Sequence, residues 1–276
     1  MRLDRATIVL RPRSASEVMD LACRFGVVHA KLYLRLGALV LLPGAALCLA
    51  LRYALDWPWW ATWLAAAALA AIAQGAFTIL ASRLLFSEAL PARAALAAFA
   101  RRLPSYVGAL LVSRALLAAS SLALLLPLPF AWAAVLFQDE ASLLEQAGPI
   151  ASVRRSAQLV RGHGGLTALL LLLATQASCL VGAELFGQAL VDGLLQLGEP
   201  FGSLYDEGGT PYAILGLFAA SPLVATTRFL QYIDLRTRSD GWDVQVRFMA
   251  IAEREAAPRT EPGEQAAHAT SRGQAA

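Results

Sequence analysis

Long apolar runs alternate with short polar ones through most of this chain. Residues 36–51, 59–81, 106–126, 165–185 and 212–230 are rich in Leu, Ala, Val and Ile and nearly free of charge. A hydrocarbon core about 30 Å thick needs about 20 apolar helical residues, because no water is there to satisfy backbone N–H and C=O groups. These stretches therefore predict membrane-spanning helices. The first is short and interrupted at Pro43-Gly44, although Tyr53 and Leu55 can extend it. Trp57, Trp59, Trp60 and Trp63 crowd the start of the second, where amphipathic rings suit the headgroup zone.

Between the runs the polar segments have a helical period of their own. Ser14-Ala15-Ser16-Glu17 is a capping-box pattern, and Val18, Leu21, Phe25 and Val28 then share one face, predicting an amphipathic helix over about residues 14–33. Leu96, Phe99 and Leu103 form a second stripe, with Arg93, Arg101 and Arg102 off it. Pro149 suits a first helical position, and Ile150, Val153, Ala157 and Val160 oppose Arg154, Arg155, Gln158 and Arg161. The predicted unit is an interfacial helix followed by a transmembrane hairpin, three times over. Outgoing spans then recur about every 60 to 70 residues, a period that suggests an internal repeat. Any multispan protein with basic inner loops would give a similar pattern, so that plainer reading stands beside the repeat.

Charge sets the orientation. Arg2, Arg5, Arg11, Arg13, Arg24, Lys31 and Arg35 precede the first span and place it, by the positive-inside rule, with its start in the cytoplasm. Arg83, Arg93, Arg101 and Arg102 follow the second span, and Arg154, Arg155 and Arg161 precede the span at 165–185. A return crossing is therefore required between residues 126 and 154, a fourth helix that composition alone does not announce. The segment 184–211 carries only acids, Glu184, Asp192, Glu199, Asp206 and Glu207, as an outer loop should. Arg236, Arg238 and Arg247 follow the last span. Six crossings with both termini inside satisfy every segment.

The expected fold is an all-α membrane bundle of six transmembrane helices over residues 1–248, with cytoplasmic amphipathic helices. A tail at 249–276, rich in Ala, Glu, Arg, Pro and Gly without apolar period, reads as disordered. Composition agrees: 58% of the 276 residues are hydrophobic and 16% charged, which argues against a soluble domain of ordinary usage. The basic residues Arg24, Lys31, Arg101, Arg102, Arg154, Arg155, Arg161, Arg236 and Arg238 are expected on anionic lipid headgroups rather than nucleic acid, each contributing about 1 kcal/mol there. No cleavable signal peptide is visible, because no apolar stretch directly follows the basic start.

Candidate chemistry is sparse. Arg114 falls inside the third span, where ionisable side chains are costly and usually face a partner or cavity. Counting about 1.5 Å per residue brings Asp139 and Glu140 of the fourth helix to a similar depth. These residues are the candidate intramembrane charge cluster, Arg114 pairing with one acid; the plainer reading is that 130–137 is only a half-span and the acids reach water. Gln74, Thr78, Thr175, Gln176 and Ser178 are read as polar packing between helices. Cys23, Cys48 and Cys179 read as small hydrophobes, and His29, His163 and His268 have no zinc-ligand spacing. No phosphate loop, nucleophile elbow or metalloprotease motif occurs. No catalytic residue, cofactor or metal is expected. Gly162-His163-Gly164-Gly165 reads as a hinge.

Three blocks together resemble a bacterial family. Arg11-Pro12-Arg13-Ser14-Ala15-Ser16-Glu17-Val18-Met19-Asp20 looks like its opening segment, Ala151-Ser152-Val153-Arg154-Arg155-Ser156-Ala157-Gln158-Leu159-Val160-Arg161-Gly162 is similar to the segment before its fifth span, and Tyr232-Ile233-Asp234-Leu235-Arg236-Thr237-Arg238-Ser239-Asp240-Gly241-Trp242-Asp243 resembles its close. The family comprises uncharacterised six-span proteins related to the membrane domain joined to some glycerophosphodiester phosphodiesterases. The resemblance covers most of the chain through Asp243 and implies six helices with inner surface segments. It departs from the pattern at Asp240, where Glu is usual, and after Arg155-Ser156, where Trp would follow. It carries no phosphodiesterase domain, so that activity is not expected.

Two functions follow as expectations. The first is a non-enzymatic inner-membrane scaffold or accessory subunit of a membrane-associated complex, with a membrane or cytoplasmic protein partner. The alternative is a transporter or lipid-handling protein with a polar site at Arg114, Asp139 and Glu140. An intramembrane enzyme ranks third.

Overall fold

A computed structural model of the protein describes residues 14–85, 91–122, 125–161, 164–198 and 200–239. Arg2, Arg5, Arg11, Arg13 and Arg247, the Gly162-His163 part of the hinge, His268, the closing motif beyond Ser239 and the tail at 249–276 lie outside these residues. Among the described residues the protein is all-α. Its helices are α1 (Ala15–Val28), α2 (Ala30–Ala54), α3 (Trp59–Leu85), α4 (Ala92–Ala100), α5 (Leu103–Leu122), α6 (Leu128–Ala134), α7 (Gln138–Leu144), α8 (Pro149–Val160), α9 (Gly165–Gln188), α10 (Leu204–Glu207) and α11 (Pro211–Ser239). A π-helical segment, Ala189–Leu194, prolongs α9.

Five helices, α2, α3, α5, α9 with its π segment, and α11, are long and apolar enough to cross a membrane. Large apolar side chains such as Leu34, Leu42, Leu64, Leu111, Leu170 and Phe186 lie exposed on them. Water would not tolerate so broad an apolar surface, whereas acyl chains match it. α11 runs through the centre against α9, α3, α2 and α1, and its second half, with that of α3, is mostly buried. Gly216 makes part of this possible: a Cβ there would stand 2.9 Å from the Cys179 carbonyl oxygen of α9.

The chain reverses at each end. Trp59 at the start of α3 and Trp63 one turn on reach Glu207 and the Gly208 carbonyl just before α11, and Tyr53 at the end of α2 packs edge-on to Trp59. This far end holds Trp57, Trp59, Trp60 and Trp63, as the sequence predicts. The opposite, basic end holds α1, α4 and α8. The capping box at the start of α1 forms, with the Ser14 side chain accepting from the Glu17 N–H and the Glu17 carboxylate accepting from the Ser14 N–H.

The break expected at Pro43-Gly44 does not occur. α2 continues through Pro43, which lacks a donor but forfeits only one helical hydrogen bond. The segment expected as the return crossing is the element that breaks, and none of its helices is long enough to cross a membrane alone. It is built of two short helices, α6 and α7, separated by a turn at residues 135–137. The Phe137 N–H, which the turn would leave without a partner, donates to the Ser156 hydroxyl of α8 at 3.0 Å. Beyond the turn the chain reaches the basic end again, where the Arg102 guanidinium at the start of α5 donates to the Leu143 carbonyl.

The three surface helices pack in one pattern. α4 lies against α3 and α2, α8 against α5, α6 and α7, and α1 chiefly against α11, with lesser contact to α9 and α2. Each surface helix thus touches the hairpin that precedes it in the chain, and the first closes on the last.

Candidate functional site

The interior polar centre is built on α11, α7 and α3. Arg228 is buried in the middle of α11, and its guanidinium spreads three ways: Nε lies 2.9 Å from Glu140 Oε1, NH2 lies 2.6 Å from Asp139 Oδ2, and NH1 donates to Gln74 Oε1 at 3.3 Å. The NH2 contact falls off the N–H axis, so it is an ion contact rather than an aligned hydrogen bond. A planar fork of five donors suits such division among partners on different elements, which a lysine ammonium would not reproduce. Side-chain exposure is 10% for Arg228, 5% for Asp139 and 0% for Glu140, so the charges are held away from solvent and lipid alike.

α7 presents both acids inward because it is short and enclosed: Gln138, Asp139, Glu140, Ala141, Ser142 and Leu143 are all buried. Its start is tied to α5 by Gln138 Nε2, which donates to Ser113 Oγ at 2.7 Å. On α3, Gly75 opens room beside Gln74; a Cβ there would meet the Phe99 ring at 2.6 Å and the Tyr106 ring at 2.9 Å. The Tyr106 hydroxyl donates to the Ala71 carbonyl at 2.7 Å, fixing α5 to α3.

A second centre lies toward the basic end. Glu145, just past α7, accepts from the Tyr232 hydroxyl at 2.6 Å and from Arg155 Nε at 3.1 Å, with Arg236 NH1 at 3.6 Å. At the far end Glu184 of α9, with 6% exposure, accepts from Thr210 and from Gln188 Nε2. It is a buried helix residue there, not part of an open outer loop, because α9 runs farther than its apolar core.

The expected pair between Arg114 and Asp139 or Glu140 does not form among the described residues. The depth agreed, since Ser113 bonds Gln138 beside the acids. The azimuth did not. Tyr106, Ala109, Leu110 and Ser113 are the buried face of α5, and Arg114, about 100° round the helix from Ser113, is exposed with Leu111, Ala115, Ala118 and Leu122. Arg228 took the role, and sequence could have found it, because it stands inside the apolar run 212–230.

The basic residues divide. Lys31, Arg101 and Arg154 are exposed, as headgroup contacts require; Arg161 is also exposed but has a partner within the protein. Arg24 pairs with Asp20 at 3.0 Å and Arg238 with Asp234 at 3.0 Å along their own helices. Arg102, Arg155 and Arg236 instead bind interior acceptors, because the broken return segment leaves carbonyl and carboxylate groups near them. Among the polar span residues, Gln176 Nε2 donates across to the Leu217 carbonyl at 3.3 Å, whereas Thr175 bonds its own helix.

Two cavities flank α2. One, of about 670 Å³, lies between α2 and α11 along Tyr33, Gly37, Leu41, Phe218 and Pro222. The other, of about 390 Å³, is lined by Arg35, Ala38, Leu39, Pro91, Ala92 and Arg93. Neither is lined by Arg228, Asp139, Glu140 or Arg114. No group of three or more His, Cys, Asp or Glu among the described residues could hold a metal ion. Comparison with known proteins finds no matching family model, no matching curated protein and no matching solved structure.

Proposed function

We propose that the chain is a non-enzymatic integral protein of a bacterial cytoplasmic membrane, with both termini inside, that acts as an accessory subunit or scaffold for a second membrane protein. The resemblance to uncharacterised six-span proteins supports the topology and supplies no activity. Exposed Lys31, Arg101 and Arg154 on the basic end suit contact with anionic headgroups.

One observation carries the subunit reading: Arg114, in the middle of an apolar spanning helix, is exposed. A guanidinium facing hydrocarbon costs at least about 2.5 kcal/mol, and intramembrane charges accordingly face partners. The chain's acids at that depth, Asp139 and Glu140, are buried against Arg228. The complement is therefore an acidic side chain on another protein's membrane helix. Leu111, Ala115, Ala118 and Leu122 beside Arg114 form a face with small residues that admits close helix approach.

A photo-crosslinker at Ala115, with one at Leu170 of α9 as control, tests this in native membranes. The reading expects a protein adduct at Ala115 that Arg114→Leu abolishes, and none at Leu170. Lipid-only adducts at both sites would contradict it.

Lipid handling is the second reading, favoured by the apolar groove between α2 and α11. It predicts exchange of labelled phospholipid between vesicles, slowed by Gly37→Phe, which fills the groove. Transport through a site at Arg114, Asp139 and Glu140 has less support, because neither described cavity reaches them.

A further inference from the structure

The smaller cavity beside α2 is unlike the other in its chemistry. Arg35 projects from the second turn of α2 and Arg93 from the first turn of α4, so two separate helices bring cations to one cleft. Neither arginine has an ion pair or hydrogen bond among the described residues, whereas Arg102, Arg155, Arg228 and Arg236 are all engaged. Pro91 stands at the N-cap of α4 without a side-chain cap, and Pro91 and Ala92 line the same cleft. The cleft opens at the basic end, where α2 begins. Along α2 it borders the apolar groove, the two sharing Ala38 as a common wall. Charge concentrated at one end and an apolar track leading away from it describe the two halves of a phospholipid.

We propose that this cleft binds one anionic phospholipid, with its phosphate between the Arg35 and Arg93 guanidinium groups and an acyl chain along the groove between α2 and α11. Guanidinium forks recognise phosphate oxygens through paired N–H donors, and two forks from different helices hold a phosphate more specifically than a diffuse basic surface does. The inference rests on the bundle being membrane-embedded with its basic end at headgroup level. It does not rest on the accessory-subunit role, and a failed crosslink at Ala115 would leave it standing.

The test uses the full chain reconstituted in nanodiscs of phosphatidylcholine containing a minor share of phosphatidylglycerol, with retained lipid counted by native mass spectrometry after release in mild detergent. The wild type is expected to keep one phosphatidylglycerol in preference to phosphatidylcholine. Arg35→Gln with Arg93→Gln should lower that preference roughly 30-fold, the size that two lost basic contacts imply. Ala38→Phe, which leaves every charge in place and fills the shared wall, should lower it as well. Arg24→Gln with Arg238→Gln, an equal loss of charge at residues paired along their own helices with Asp20 and Asp234, should leave it unchanged. An equal loss in that control would overturn the site in favour of diffuse attraction, as would retention by both cleft variants. Displacement of the lipid by inorganic phosphate alone would overturn the lipid as occupant. Should the double glutamine variant fail to fold, Ala38→Phe decides.

Discussion

Arg228 shows what a single buried side chain can govern. Its guanidinium ties α11 to α7 through two carboxylates and to α3 through Gln74, so one residue fixes three elements. Breaking a buried ion pair from one side leaves charge without compensation, at about 3–5 kcal/mol. Arg228→Met should therefore lower unfolding stability in detergent by that amount. Combining it with Asp139→Leu and Glu140→Met should recover most of the loss, because well-packed apolar side chains often replace such a cluster at little net cost. A loss under about 1 kcal/mol for Arg228→Met would show that the centre does not hold the bundle together. Sequence carried half of this centre. Depth counting found both acids and judged them level with the third span, yet depth says nothing about which way a side chain faces. Arg114 failed on that missing coordinate, and Arg228 was passed over as part of an apolar run.

Elements were predicted well where the bilayer alone dictates them and less well where neighbours do. The five long helices follow from length and apolarity. α6 and α7 do not, since Pro127 and Pro129 break the run and the remaining residues are too short for a single span. α8 shows the same limit. Its predicted apolar stripe contains Ile150, which is 74% exposed, while the protein-facing side is Ser152, Ser156 and Leu159. Ser156 faces inward where the α6–α7 turn needs an acceptor, and the buried Ser152 hydroxyl donates back to the Ala147 and Gly148 carbonyls. In α1, by contrast, Val18 and Phe25 are buried as the stripe predicts, with Ala22 joining them, although Val28 is exposed. Ser156→Ala leaves the Phe137 N–H without a partner and should cost about 1–3 kcal/mol in the same unfolding measurement. Gly75→Leu should be worse tolerated still, because Phe99 and Tyr106 occupy the space its side chain needs. Native-like yield and melting of that variant would contradict the close approach of α4 and α5 to α3.

Taken together, the helices form three successive units, each surface helix resting against the hairpin before it, with the first helix completing the ring. The sequence pattern sets each surface helix before the hairpin that follows it; hydropathy and the alternating arginines record the solvent on each side of a segment and do not say which hairpin a surface helix packs against. The same record predicts which ends of the bundle face opposite compartments. Substituted-cysteine labelling tests that directly, in intact cells and with Cys23, Cys48 and Cys179 replaced by alanine. A membrane-impermeant thiol reagent should modify Tyr205→Cys, which lies at the far end with 97% exposure, from outside. Gln158→Cys, exposed on α8 at the basic end, should react only after the membrane is opened. Equal labelling of both positions in intact cells would contradict a bundle threaded through the bilayer with its basic end inward.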